Sequence, residues 1–241
     1  KKVFTCKKLG FAGAPMNDGL IQKVMNGFKP IQLVNHYGSS EVYTFTVDQN
    51  ANIKPGSAGK AGINQRIRVV EIGSNNHKKI NSPNIEGEII ADLNSDEAFS
   101  GYWKRPDADR KSIINNWYFT NDIGYLDQDG DLFVTGRVDD MIITGGENVS
   151  PIEIENILSL NKNVLEVVVI GLPDKKWGQK ICGFIKRIGN LNHNDLDNHC
   201  IDLGLVNFKK PKEYFFIKDI PKSPTGKILR RKIIAGEYEL E

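Results

Sequence analysis

The residues of this chain that can do chemistry fall in short segments, in a fixed order. Tyr37-Gly38-Ser39-Ser40-Glu41 comes first, then Gly87-Glu88 with Gly101-Tyr102-Trp103, then Trp117 to Asp122. Gly136-Arg137-Val138-Asp139-Asp140, Gly145-Gly146-Glu147-Asn148-Val149 and Pro224-Thr225-Gly226-Lys227 follow. Taken alone, each is ordinary. Tyr37 to Glu41 reads equally well as a strand running into a turn. Asp122 is a carboxylate able to accept two donors, or a turn residue before a hairpin. Arg137 is a planar donor fork, or half of a surface ion pair. Lys227 is a cation suited to crowded negative charge, or one more base beside Lys222, Arg230, Arg231 and Lys232. His36, His77, His193 and His199 lack metal-ligand spacing; His36 is either a border of a substrate pocket or an ordinary structural histidine. Asp127-Gln128-Asp129-Gly130-Asp131 lacks the spacing of a calcium loop and reads as a hairpin turn.

The elements that must position these groups change texture along the chain. The first fifty or so residues have α/β character: a strand end over Leu9–Ala14, a helix capped by Asn17 or Asp18 and running through Met25, and a strand over Ile31–Val34. From about Pro55 to Gly136, short alternating runs between turn residues predict a β-rich region, with strands around Arg66–Val70, Gly87–Ile90 and Asp131–Val134. From Asp140 strands and helices alternate again, which predicts a separate small α+β domain. Its elements are Met141–Thr144, a helix from Pro151, the apolar run Val167–Ile170, Ile181–Lys186, a helix near Asp195–Asp202, and Tyr214–Ile217. Ser150, Pro151 and Glu153 fit a capping box with proline at the first helical position. Pro221 to Lys227 has Pro, Ser and Gly at turn spacing and predicts a mobile surface loop.

Composition sets the outer bounds. The chain has 241 residues, a formal net charge of +2, 26% charged and 39% hydrophobic residues, the balance of an ordinary globular protein. Cys6, Cys182 and Cys200 are odd in number and widely spaced, so neither a disulfide framework nor a zinc site follows, and a reducing cytoplasm is the simplest location. No apolar stretch approaches the roughly 18 residues that span a bilayer, so no membrane partner is expected. The bases of Lys209–Lys232 cluster in one segment of a nearly neutral chain, which argues against nucleic acid.

In their order and separations, the segments resemble the second half of the AMP-forming, acyl-adenylate-forming superfamily, across essentially the whole chain. Asp139–Glu155, Val167–Gly171 with Trp177-Gly178-Gln179, and Phe208–Lys212 look most like the 4-chlorobenzoate CoA ligases and similar aryl- or acyl-CoA ligases. The resemblance implies an enzyme that activates a carboxylic acid (aryl or fatty) with ATP and Mg²⁺ as an acyl-adenylate, then passes the acyl group to coenzyme A. It implies a fold in three parts: an α/β remnant (1–54) and a β-rich subdomain (55–138), which together form the end of the large domain, then a small mobile α+β lid (139–241).

Carried over residue by residue, Tyr37 would stack on adenine, Gly13, Ala14, Pro15 and Asn35 would line its edge, and Gly38, Ser39 and Ser40 would meet phosphate. Glu41 would hold Mg²⁺, Asp122 the ribose hydroxyls, and Arg137 ribose or phosphate. Lys227 would face the acyl carboxylate and α-phosphate. Asp139 matches the hinge about which the small domain turns. After rotation Gly145 and Gly146 would approach the pantetheine, Trp177 would pack along it, and Phe208, Lys210 and Lys212 would meet the nucleotide end of coenzyme A.

Two departures from the family pattern are mild. A serine hydroxyl stands at Ser40 where threonine is usual, and Asn121 stands where glycine usually precedes the aspartate. A third is larger, because nothing here matches the Ser/Thr/Gly-rich loop that holds the β- and γ-phosphates. With no initiator Met either, the chain reads as a fragment whose partner is the missing N-terminal half of the same enzyme, with a homodimer open. The competing readings are an adenylation domain that loads a carrier protein, a luciferase-like oxygenase, and a non-catalytic assembly or regulatory half.

Overall fold

The computed structural model describes residues 6–224 and 226–241. By packing, the chain divides into two units: residues up to Pro15 with Val24–Asp139, and Met16–Lys23 with Asp140–Glu241. The second unit therefore includes Met16–Lys23 in addition to the C-terminal region expected from residue 139. The Gly19 N–H donates to Ser159 Oγ at 3.2 Å and Lys23 Nζ to the Val164 carbonyl at 3.1 Å.

From Lys8 to Arg137 the chain follows the order β1 (Lys8–Ala12), α1 (Asp18–Phe28), whose residues up to Lys23 count with the second unit, β2 (Gln32–Tyr37), β3 (Thr46–Asp48), β4 (Ser57–Ala61), β5 (Ile67–Val70), β6 (Gly87–Asp92), α2 (Pro106–Ser112), β7 (Ile113–Ile114), β8 (Trp117–Leu126) and β9 (Leu132–Arg137). Helix α1 starts where Asn17 predicts, the Asn17 Oδ1 accepting from the Leu20 N–H at 2.9 Å. Among the described residues the strands form one nine-stranded sheet, β1-β2-β3-β4-β9-β8-β6-β5, with β7 on β8. β1 and β2 are parallel and the later pairs antiparallel. The texture change near residue 55 thus falls inside one sheet, because β4 pairs with β3 on one side and β9 on the other. Strand β6 is buried along its whole length, and its adjacent Ile89 and Ile90 feed different cores, Ile89 with Ala58, Val69 and Leu132, Ile90 with Val70, Trp117 and Phe119. A sheet covered on both faces reads as a continuous apolar run.

A single 3₁₀ turn, Val138–Asp140, follows β9. The second unit then contains β10 (Ile142–Thr144), β11 (Glu147–Val149), α3 (Pro151–Ser159), β12 (Val164–Asp174), β13 (Gly178–Arg187), α4 (His193–Asp202), β14 (Glu213–Phe216) and α5 (Arg230–Ile234). Among the described residues these strands form a five-stranded sheet, β11-β10-β13-β12 with β14 parallel to β13. Val167 and Val169 pack with Ile154, Leu158 and Leu196, while Val168 and Ile170 pack with Phe184, Ile217 and Ile233.

Pro151 occupies the first turn of α3, but the predicted capping box does not form. The carboxylate of Glu153 is taken by Lys209, whose Nζ donates to its two oxygens at 2.9 and 2.7 Å. A reciprocal box does form on α4, between Asn192 and Asp195. The predicted loop at Pro221–Lys227 is a closed hairpin: Ser223 N–H donates to the Lys227 carbonyl at 2.8 Å, Leu229 N–H to Pro221 at 2.9 Å, and Lys222 bridges Ile228. Thr225 lies outside the described residues.

Candidate functional site

Strands β1 and β2 run side by side with Ala12 opposite His36, so Gly13-Ala14-Pro15 and Tyr37-Gly38-Ser39-Ser40-Glu41 leave the same end of the sheet. The carboxyl ends of parallel strands are where such sheets leave room for ligands. Gly13 has φ +78°, a left-handed conformation that glycine adopts at little cost. Asn35 and Tyr37, two apart on a strand, share a face, and the Asn35 amide is fixed by donating to the Ser57 carbonyl at 2.9 Å. The loop beyond is tight. A Cβ on Gly38 would lie 1.8 Å from the Tyr43 carbonyl oxygen, so no side chain fits there.

Ser39 Oγ accepts from the N–H groups of Glu41 and Val42 at 3.2 and 3.3 Å, which spends that hydroxyl on shaping the loop, while Ser40 is exposed. Glu41 Oε1 accepts from the Tyr102 hydroxyl at 2.8 Å, and the Glu41 carbonyl accepts from Phe99 N–H at 2.7 Å. Burial pushes the Glu41 carboxyl up, but hydrogen bonds from Tyr102, Ser39 and Tyr118 outweigh it and hold the group below the ordinary glutamate range.

Asp122 owes its position to a bulge. Between paired positions Ile90↔Phe119 and Glu88↔Ile123, β6 has the single residue Ile89 whereas β8 has Thr120, Asn121 and Asp122. Bulges of this kind re-aim side chains. Thr120 Oγ1 closes it, donating to the Ile89 carbonyl at 2.7 Å and accepting from the Asp122 N–H at 3.0 Å. Asn121 sits at φ +64°, the left-handed region in which asparagine is the usual substitute for glycine.

The Asp122 carboxylate then meets two of the predicted residues. Its Oδ2 accepts from the Tyr37 hydroxyl at 2.6 Å, and its Oδ1 lies 3.1 Å from Arg137 Nη1, its cross-strand neighbour on β9. Burial and the adjacent Asp122 charge raise the Tyr37 hydroxyl well above its ordinary value, so it stays a donor. Asp139 accepts from Asn121 Nδ2 at 2.7 Å. Beneath the bulge Glu88 is buried, accepting from the Asn121 N–H at 3.3 Å; burial, with the Asp122 charge, raises its carboxyl.

Glu41, Tyr102, Tyr118, Thr120, Asn121 and Arg137 line one cleft of about 540 Å³ in the first unit. Arg110 and Lys111, which sequence reasoning passed over, line it too. The signal for Tyr102 lay in Gly101-Tyr102-Trp103; nothing in the sequence points to the two bases, which follow Pro106 on α2 as ordinary helix-surface charges. The other cluster of acids, Asp127, Asp129 and Asp131, is filled by Lys54, whose Nζ lies 2.7 Å from Asp131 and 3.0 Å from Asp129 and also pairs with Asp127. It is a hairpin turn, as its spacing predicts, and the lysine among its acids is a finding of the structure.

In the second unit, Gly145 and Gly146 form the left-handed turn between β10 and β11, at φ +61° and +88°. Gly145 N–H donates to the Trp177 carbonyl at 2.8 Å, and a Cβ on Gly145 would lie 3.1 Å from the indole. Trp177 remains 42% exposed, with Lys176 Nζ 4.5 Å from its ring centroid. Phe208 is half-exposed and Lys212 exposed, its N–H held by the Ile181 carbonyl at 2.8 Å. Lys210 differs from the expectation of a phosphate contact, because its ammonium is committed to Asp197 at 3.0 Å. Lys227 is exposed on its hairpin, its N–H donating to Ser223 Oγ at 3.1 Å.

The sequence profile described as AMP-binding enzyme matches residues 3–103, and the profile described as AMP-binding enzyme C-terminal domain matches 153–227. The chain belongs to the AMP-binding enzyme family. Among its relatives, a 4-chlorobenzoate–CoA ligase of Arthrobacter is 32% identical over 92% of this chain and 42% of its own length. A long-chain-fatty-acid–CoA ligase of Mycobacterium tuberculosis is 36% identical over 90% of this chain and 42% of its own. The o-succinylbenzoate CoA synthetase of Bacillus subtilis, solved with its acyl-adenylate intermediate, superposes with a TM-score of 0.82 at 27% identity, over 94% of this chain and 46% of that one. The chain thus spans less than half the length of the relatives it matches.

Proposed function

We propose that this chain is part of an AMP-forming carboxylic acid–CoA ligase and that it contributes the nucleotide-binding floor and the mobile lid. The observation that carries the reading is the meeting of Tyr37, Asp122 and Arg137 at the sheet end that also presents Glu41. Asp122 accepts ribose hydroxyls, since an ionised carboxylate offers two oxygens that can take several donors at once. The Tyr37 ring, with Asn35 and Gly13-Ala14-Pro15 beside it, forms the adenine platform. Glu41 is ionised at neutral pH and faces a cleft, a hard oxygen donor suited to Mg²⁺. When bound there, the ion neutralises phosphate charge.

In the first half-reaction a carboxylate oxygen attacks the α-phosphorus of ATP, the bond to pyrophosphate breaks, and Lys227 stabilises the charge that crowds there. In the second, with the lid turned about Asp139, the thiol of coenzyme A attacks the acyl carbon and AMP leaves. Gly145, Gly146 and Trp177 present a small-residue turn beside an exposed indole, which suits a pantetheine arm; Phe208 and Lys212 suit its nucleotide end. The last pair favours coenzyme A over a carrier protein, which needs no nucleotide contact. The acid is aryl or fatty, the two classes named among the relatives.

Among the described residues no helix is long and apolar enough to cross a membrane. The three free thiols support a cytoplasmic setting. The test is a panel of aryl and fatty acids with ATP, Mg²⁺ and coenzyme A on the complete ligase, reading AMP and thioester. Release of ADP, or AMP formation that coenzyme A never converts to thioester, overturns the reading.

A further inference from the structure

Arg230 lies three residues beyond Lys227, at the start of α5, and its side chain is only 17% exposed. Its Nη1 and Nη2 grip the two oxygens of Glu155 on α3 at 2.6 and 3.0 Å. Nη1 also donates to the Val169 carbonyl on β12 at 3.1 Å, and Nε faces Asp140 Oδ2 at 3.5 Å. Glu155, itself buried, accepts the Val169 N–H at 2.7 Å. One buried fork therefore joins α3, β12, the residue after Asp139 and the segment that carries Lys227.

The hairpin between Pro221 and Leu229 is closed by its own hydrogen bonds, so its orientation is set at its feet. Ile220 and Ile233 root those feet in the apolar core. Apolar contacts hold a segment down but are non-directional, whereas a bidentate guanidinium–carboxylate pair fixes an angle. A buried ion pair also adds little stability over an apolar replacement of the same shape. Direction is what distinguishes Arg230 from a further isoleucine.

We propose that Arg230, acting through Glu155 and Asp140, is a positioning residue that locks the Lys227 hairpin to the residue next to the hinge, so that Lys227 travels with its whole unit as a rigid arm. This rests on the reading of Lys227 and Asp139 given above, but the lock itself is measurable in the 241-residue chain.

The measurement is amide hydrogen exchange, comparing the wild type with Arg230→Lys, Asp140→Asn, Ile233→Ala and Lys227→Ala. Arg230→Lys keeps the charge and loses the fork. It speeds exchange of Ser223, Gly226, Lys227 and Leu229 by roughly tenfold, through a local opening that urea does not accelerate, while Val168 and Ile185 keep wild-type protection. Asp140→Asn gives a smaller increase at the same amides. Ile233→Ala lowers the melting temperature without singling them out.

Wild-type protection at the hairpin in Arg230→Lys overturns the proposal, as does equal exposure of the hairpin in Ile233→Ala. Should Arg230→Lys not fold, unchanged hairpin protection in Asp140→Asn overturns it. Lys227→Ala leaves the exchange pattern intact. If that variant adenylates normally in the complete ligase, the catalytic reading fails while the lock stands.

Discussion

The Tyr37 hydroxyl and the Asp122 carboxylate, 85 residues apart in sequence, meet at 2.6 Å, and the same carboxylate is held from its other side by Arg137. Two roles are thereby separable in Tyr37, since the ring is the proposed adenine platform and the hydroxyl is the brace. Tyr37→Phe keeps the platform and removes the brace. It lowers stability by about 1.5 kcal/mol, the worth of a hydrogen bond to a charged group, and changes AMP affinity by less than about threefold. Asp122→Ala weakens AMP binding by roughly tenfold or more, because ribose loses its acceptor. Calorimetric titration of AMP into the chain checks both; a neutral Asp122→Ala sinks the ribose assignment.

The Glu41 and Glu88 carboxyls are displaced in opposite directions from the ordinary glutamate value and give opposite pH signatures. The Glu41 carboxyl lies below its ordinary 4.5 in the folded state, so its stabilising contribution is present above that value and is lost as pH falls through the folded pKa. The Glu88 carboxyl is raised above 4.5 by burial, so the folded state loses stability as pH rises from 4.5 through the folded pKa. Glu88→Gln should therefore raise the melting temperature relative to wild type more at pH 7 than at pH 4. Glu41→Gln should flatten the loss of stability below pH 4.5. Melting curves across that range decide both, and an advantage of Glu88→Gln that shrinks toward neutrality refutes the first.

Asn121 holds a left-handed backbone at the crest of the bulge. Asn121→Gly should be close to neutral, whereas Asn121→Ala should cost about 1 kcal/mol or more from backbone strain. Urea denaturation of the two variants measures the difference. Equal stabilities would show that the bulge relaxes.

Much of this architecture is legible in sequence, but only where local chemistry and tertiary packing agree. Val167–Ile170 announces a buried strand, and Asn17 announces the start of α1. β4 is different: Ser57-Ala58-Gly59-Lys60-Ala61 has poor strand propensity and exists because β3 and β9 pair with it. β8 hides because the bulge at Thr120–Asp122 breaks its alternation. The box expected at Ser150 and Glu153 yields to a lysine 56 residues downstream, and Arg230 is read as one base among several until Glu155, 75 residues away, is seen inside its fork. The candidate site was legible as segments, while the tyrosine and lysine contacts around it are products of the fold.

On the proposed reading Lys227 and Trp177 serve different half-reactions, and single substitutions in the proposed complete ligase should separate them. Lys227→Ala should lower adenylate formation by about a hundredfold or more, as loss of a preorganised charge does, yet transfer acyl groups from preformed adenylate. Trp177→Ala should release pyrophosphate at nearly the normal rate and form thioester poorly. Stopped-flow assays of each half-reaction check this. Loss of the same step in both variants contradicts a lid with two working faces.

The double pairing of β4 has a consequence for how the chain acquires its structure. Ser57 and Gly59 find Phe133 and Leu132 only after the intervening segment has been synthesised, and such distant pairings form slowly. Until β9 emerges from the ribosome, one edge of β4 is a bare row of amides and carbonyls, next to apolar residues awaiting a partner. Gly59, where a Cβ would fall 2.2 Å from the Val47 carbonyl oxygen, makes β3 and β4 pack too closely to admit a side chain there. A larger residue at 59 should therefore act first during biosynthesis, prolonging the interval in which that edge can capture another nascent chain, and should appear as lost soluble yield.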